Sequence, residues 1–260
     1  MKNIIVNVDD LGFSHAVNQA VIDLAEKQRI QATSFMSLGE IHQDEVQALK
    51  ELNIDIGLHF DLTGLAGVGT LKNILMKAYL RQFNHQELEL IIHKQLDLFE
   101  AKIGCLPDFI DGHQHVHQFP LVRQVLLECI EQRYHKKIPL RNTQTYQTDL
   151  KAKIIYLLGG FALKNTLIHK QWPHNASFAG VYSFNKDFNG LSELWESWLK
   201  DAPNHSVIMC HPARVDPNWN DDIYAARCVE YQWLMSDEFL ELWNKYACQP
   251  QSWERFTHFA

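Results

Sequence analysis

An α/β fold with parallel strands, closing into a distorted or incomplete TIM-like (β/α) barrel, is what the sequence predicts. Three observations carry that expectation. Strand and helix signals alternate from the first residues onward. The length of 260 residues suits one α/β barrel, so residues 1–260 read as a single domain. Several apolar strand runs end on acids or histidines, and the C-terminal ends of strands are where such barrels keep their chemistry.

Residues 2–8 (KNIIVNV) form a β-branched apolar run of strand length. Asp9-Asp10-Leu11-Gly12 breaks it, and Ser14 is placed to cap a helix reaching about Arg29. Val17, Ala20, Val21, Leu24 and Ala25 fall on one face of that helix. Residues 31–38 (QATSFMSL) give a second strand, 42–51 a short helix and 54–62 (IDIGLHFDL) a third strand. Residues 64–83, with Gly64, Gly67 and Gly69, read as a loop and short helix over the site. Asn84 opens a long helix to about Lys102, with Glu87 as a capping-box acid and Gly104 as the stop. A strand at 107–111 (PDFID), a helix from Pro120 to about Tyr134 and a strand at 138–142 (IPLRN) follow. The helical pattern of 149–168 is expected to break at Gly159-Gly160. A late strand at 206–210 (SVIMC) precedes two final helices, near 222–232 and 236–247.

Bulk properties exclude several classes. A 46% apolar and 21% charged composition is that of a globular protein. The net charge is -7, and no basic cluster exceeds Lys136-Lys137, so nucleic acid is not an expected partner. Five scattered cysteines with no CxxC pair suit a reducing compartment and no structural zinc knot. Asn7, Asp9 and Asp10 interrupt the first apolar run, so it does not read as a secretory leader. No apolar stretch approaches the ~20 residues of a membrane span. The expected location is therefore cytoplasmic, and a homodimer is the expected assembly.

Four polar intrusions stand at strand ends: Asp9-Asp10, His59, the run Asp111-Gly112-His113-Gln114-His115-Val116-His117, and His211-Pro212. An Asp and two histidines can hold one divalent cation while leaving positions open for water and substrate. Such an ion polarises a carbonyl and acidifies water, a second carboxylate can act as base, and a further histidine can protonate a leaving amine. Each element has a plainer reading. An Asp pair after a strand is usually a turn or cap, a lone His a satisfied core residue, and His-Pro a structural corner. Three alternating histidines after an acid are rarer, and the joint occurrence at successive strand ends outweighs any single element.

Taken together, NVDDLGFS, IGLHFDLT, DGHQHVHQFP and MCHPA resemble the YdjC-like carbohydrate deacetylases, a group that includes chitooligosaccharide deacetylases and deacetylases of hopanoid biosynthesis. The motifs span residues 7–213. The resemblance implies removal of an N-acetyl group from an amino sugar with release of acetate, and one divalent metal ion, Mg²⁺ or Zn²⁺. It implies Asp10, His59 and His113 as metal ligands, Asp9 as base and His211 as acid. It further implies His115, His117 and Arg141 in the substrate pocket or its surroundings. Leu11 stands where the family often has Phe.

Two other readings use the same residues. One is an amidohydrolase or phosphoesterase on a related barrel. The first would show HxH on its opening strand, and the second more Lys and Arg near the motifs. The other is a sugar-binding protein with a relic site, which a missing ligand would have favoured.

Overall fold

The structure is a computed structural model, and it describes residues 1–256. In chain order, β1 (Lys2–Leu11) leads through α1 (His15–Glu26) to β2 (Ala32–Phe35), and α2 (Gln43–Glu51) leads to β3 (Asp55–Phe60). Two helices, α3 (Leu71–Tyr79) and α4 (His85–Ile103), precede β4 (Ile110–Gly112). A 3₁₀ turn (His113–Gln118) and α5 (Val122–Tyr134) follow. Then come α6 (Leu150–Ile155), a π turn (Tyr156–Gly160), α7 (Phe161–His169), β5 (Ser177–Ala179) and α8 (Phe188–Asp201). β6 (Ser206–Cys210), α9 (Tyr224–Met235), α10 (Asp237–Lys245), β7 (Cys248–Pro250) and a 3₁₀ turn (Trp253–Arg255) complete the described order.

All the strand pairings are parallel, in the order β4-β3-β2-β1-β6-β5, with β7 added at the start of β1. Isolated parallel bridges, Ile110 to Leu140, Leu140 to His174 and Thr145 to Phe178, carry the curl beyond β4 and back to β5. The result is a curled half-barrel with helices outside, as expected. Residues 138–142 contribute a bridge rather than a full strand, because Pro139 has no N–H to donate to a ladder. The predicted break at Gly159-Gly160 is the π turn. Residues 170–205, which the sequence reading leaves without an element, hold β5 and α8.

Strand alternation sorts the core. Ile4, Val6 and Val8 of β1 face outward and pack with Val17, Val21 and Leu24 of α1. Ile5 faces inward with Ala32, Phe109, Phe178, Val207 and Trp253. Trp253 plugs this interior, its ring stacked on Phe109 at 4.3 Å and its backbone N–H donating to Asp55 at 2.6 Å. Gly57 is required here, since a Cβ would lie 2.5 Å from the Phe109 ring. The inward layer above is polar, and it builds the site. No helix among the described residues is long and apolar enough to cross a membrane.

One boundary differs from expectation in an informative way. β1 does not stop at Val8 but runs through both aspartates to Leu11. Between Val8 and Leu11 it advances three residues while β2 advances two, from Thr33 to Phe35. That extra residue is a β-bulge, a device that re-aims side chains beside functional sites. Asp10 carries it, in the left-handed region at φ 70.

Candidate active site

Regular alternation makes Asn7 and Asp9 the next inward residues of β1, and would send Asp10 outward. The bulge turns Asp10 inward as well, so two adjacent carboxylates reach one site by different routes. From the neighbouring strands, the inward row continues with Ser34 on β2, His59 on β3 and Asp111 on β4. All are buried.

Asp9 is clamped. Arg141 Nη1 and Nη2 each donate to one of its carboxylate oxygens at 2.7 Å, and Asn7 Nδ2 donates at 2.9 Å. The same guanidinium also meets Asp111 at 2.5 Å, and Ser34 Oγ donates to Asp111 at 2.6 Å. Burial works to raise the Asp9 carboxyl. The charge and hydrogen bonds of Arg141 outweigh it and hold Asp9 well below the usual carboxylate range. Asp9 therefore stays ionised and fixed in orientation.

Asp10 forms a different cluster. Its Oδ1 lies 3.0 Å from His113 Nδ1 and 3.4 Å from His59 Nε2. One ligand atom from each of the three falls within 4.8 Å of the others, which suits one divalent ion. The donor chemistry fits in the next layer too. Asp111 Oδ1 lies 2.6 Å from His59 Nδ1, the carboxylate–histidine pairing that orients a ligand imidazole and leaves Nε2 for a metal. Burial opposes a charge on His59, yet Asp111, Asp10 and Asp9 together lift it to about 10. A second trio, Asp9, His59 and Asp111, lies as close, but Arg141 already supplies its positive charge.

The histidine run does not stay extended. Gln114 and His115 are left-handed, at φ 51 and 60, so the chain turns after His113 and the three histidines diverge. His113 joins the cluster. His115 meets the edge of the Phe178 ring at 5.6 Å. His117 is fully buried, and its Nε2 donates to the Arg141 carbonyl at 2.9 Å. His117 is thus joined to Arg141, and Arg141 to Asp9 and Asp111, in the surroundings of the site.

His211 follows β6, with Nε2 4.0 Å from Asp9 Oδ2. Burial lowers its imidazole to about 4, against the pull of Asp10 and Asp9. The Phe184 ring packs on it at 5.3 Å. Its backbone N–H donates to Glu230, which also accepts from Tyr182 at 2.7 Å. Burial lifts Glu230 to about 7, with those two hydrogen bonds opposing. At the start of the 64–83 segment Asp61 accepts from the backbone of Thr63, Gly64 and Ala66 at 2.8 Å, and a Cβ on Gly64 would lie 3.3 Å from His113 Cδ2.

Sequence reasoning missed Arg227 and Glu230, both on α9 and both buried. Arg227 Nη2 donates to Asp10 Oδ2 at 2.7 Å. Charged residues on an amphipathic helix ordinarily face water, so only their inward turn in three dimensions reveals them. Asp111 had a signal, since it opens the histidine run.

A half-barrel whose strand ends gather an aspartate and two histidines beside a second acid and a further histidine defines a class, an α/β protein with a candidate metal-hydrolase centre. Within that class, this chain belongs to the YdjC-like protein family, whose model matches residues 3–245. It is 30% identical over 149 residues to a chitooligosaccharide deacetylase of Proteus mirabilis, a match covering 53% of this chain and 58% of that protein. It is 23% identical over 227 residues to a chitooligosaccharide deacetylase of Yersinia enterocolitica, covering 83% of each. Its fold resembles that of a putative cellobiose-phosphate cleavage protein of Enterococcus faecalis, with a TM-score of 0.72 at 21% identity over 98% of this chain and 99% of that one.

Proposed function

We propose that this protein is a metal-dependent hydrolase that removes the N-acetyl group from an amino sugar and releases acetate. The observation that carries this reading is the pairing of the Asp10, His59 and His113 cluster with Asp9 and His211 across one small polar site. The names of the curated relatives support the substrate class. A divalent ion bound by the cluster supplies a Lewis acid for the amide carbonyl and for a water nucleophile. One aspartate with two imidazoles suits zinc, and magnesium is the alternative.

The remaining roles belong to the chain. Asp9, held ionised and aimed by Arg141, accepts a proton from the attacking water. His211 Nε2 donates to the departing nitrogen. At 4.0 Å the two are close enough for the proton taken by Asp9 to be passed on through His211. Asp111 keeps His59 in the tautomer that presents Nε2.

The test is acetate release from N,N′-diacetylchitobiose and longer chitooligomers. Wild type and Asp9→Asn are compared after EDTA treatment and after addition of Zn²⁺ or Mg²⁺. Metal-dependent release that Asp9→Asn abolishes supports the reading. No release from a protein that binds metal at the cluster removes the chitooligosaccharide substrate, and no metal binding removes the site assignment.

A further inference from the structure

The two adjacent aspartates are each paired with an arginine, but not in the same way. Arg141 takes both oxygens of Asp9. Arg227 takes one oxygen of Asp10, Oδ2, and leaves Oδ1 to the two histidines. Arg227 is itself fixed on several sides. It is 2% exposed, its Nε donates to Asp221 at 2.8 Å, and its Nη1 reaches the His211 carbonyl at 3.4 Å. The Phe13 and Trp219 rings lie 5.6 and 5.9 Å from its guanidinium carbon. One turn further along α9, Glu230 accepts from the His211 backbone N–H. A single helix therefore grips both Asp10 and His211.

We propose that Arg227 is a positioning residue that makes Asp10 a one-oxygen metal ligand and fixes that ligand relative to His211. This rests on the reading of Asp10, His59 and His113 as the metal site. A carboxylate free at both oxygens can close on a cation with both, filling a position that catalysis needs open. A guanidinium on Oδ2 forbids that, and its planar fork orients as well as neutralises, which a lysine cannot do. The same positive charge weakens the pull of the site on a dication. Arg227 thus trades metal affinity for an open coordination position.

Two consequences separate this role from a structural one. Arg227→Met leaves the Asp10 charge unopposed, so the variant binds Zn²⁺ and Co²⁺ more tightly, by about tenfold or more. A mere packing lesion would loosen the site and weaken binding. The visible absorption of the Co²⁺-loaded variant also loses intensity, as the coordination number rises with a second Asp10 oxygen. Arg227→Lys restores the wild-type affinity through its charge but not the fork, so kcat for acetate release stays depressed while KM changes little.

The experiment is competitive titration of metal-free protein with Zn²⁺ and Co²⁺, with Co²⁺ spectra, for wild type, Arg227→Met and Arg227→Lys. Melting curves check that each variant folds. Tighter binding and a weaker Co²⁺ band in Arg227→Met are the expected result. Unchanged affinity and spectrum, or weaker binding, in a folded variant overturns the proposal and leaves the metal site standing. Should Arg227→Met not fold, Arg227→Lys decides alone, because wild-type kcat in that variant rules out a need for the fork. A wild-type protein that binds neither ion at the cluster removes the metal reading and this proposal with it.

Discussion

Replacing Arg141 with methionine isolates the polar layer of the half-barrel. The guanidinium is fully buried and serves two carboxylates, with 2.7 Å contacts to both oxygens of Asp9 and a 2.5 Å contact to Asp111. Methionine fills similar space but removes the guanidinium that two buried carboxylates share, leaving Asp111 with His59 alone as counter-charge. Breaking a buried ion pair by removing one partner costs about 3–5 kcal/mol. Near this chain length each kcal/mol lowers Tm by about 2–4 °C, so a fall of roughly 6–20 °C is expected at pH 7. The pH dependence is the sharper signature. In wild type the folded-state Asp9 carboxyl lies below its unfolded value, so it contributes stability above about pH 4 that is lost as pH falls further. In Arg141→Met burial raises Asp9 against only the weaker pull of His59 and His211, so the folded variant takes up a proton more readily than folded wild type. The stability gap between the two proteins is therefore widest at pH 7 and narrows toward pH 4. Urea melts at pH 7, 5.5 and 4 measure it. A gap below about 1 kcal/mol at pH 7, or one that stays constant with pH, would refute the view that Arg141 is the electrostatic keystone of this layer.

Three further outcomes are expected. Asp10→Asn lowers Zn²⁺ affinity by more than about a hundredfold, beyond the 10–100-fold range of outer-layer changes, as read by competitive titration. Asp55→Asn removes an acidic-side stability slope. Burial, with Asp108 and Glu254 adding to it, lifts the Asp55 carboxyl to about 7 against the Trp253 hydrogen bond. A raised carboxyl means the folded state holds its proton longer, so wild-type stability falls between about pH 4 and pH 7, and the variant gains on wild type over that window. Trp253→Ala opens a cavity against Phe109 at the base of the sheet and lowers stability by about 3–5 kcal/mol in thermal or urea melts.

Much of the architecture was legible in the sequence because buried parallel strands are short apolar runs with few other interpretations. The run SVIMC is β6 to the residue, β2 and β3 fall inside their predicted spans, and β1 starts where predicted but runs three residues further. β5 was not legible, since three residues carry no period, and the strand exists because β6 offers a ladder to it. At the site, Asp9, Asp10, His59, His113 and His211 converge as their positions at strand ends suggested. The supporting roles did not show. That Arg141 faces Asp9, and Arg227 faces Asp10 from a point 217 residues away, is a product of curl and helix docking rather than of any local pattern. The divergence of His115 and His117 from His113 depends on two left-handed residues that neither Gln nor His announces.

The bulge in β1 makes the two aspartates unequal by backbone alone. Deleting Asp9 and deleting Asp10 yield the same polypeptide, so no deletion can remove one role and spare the other. Either deletion closes the bulge, restores plain two-residue alternation, and leaves a single inward carboxylate for two arginines to share. Transplanting the dipeptide into a regular strand fails for the same reason, because one of its carboxylates would point into the helix layer. What must be inherited or engineered here is one residue more between Val8 and Leu11 than the neighbouring strand has between Thr33 and Phe35, and residue identity comes second to it.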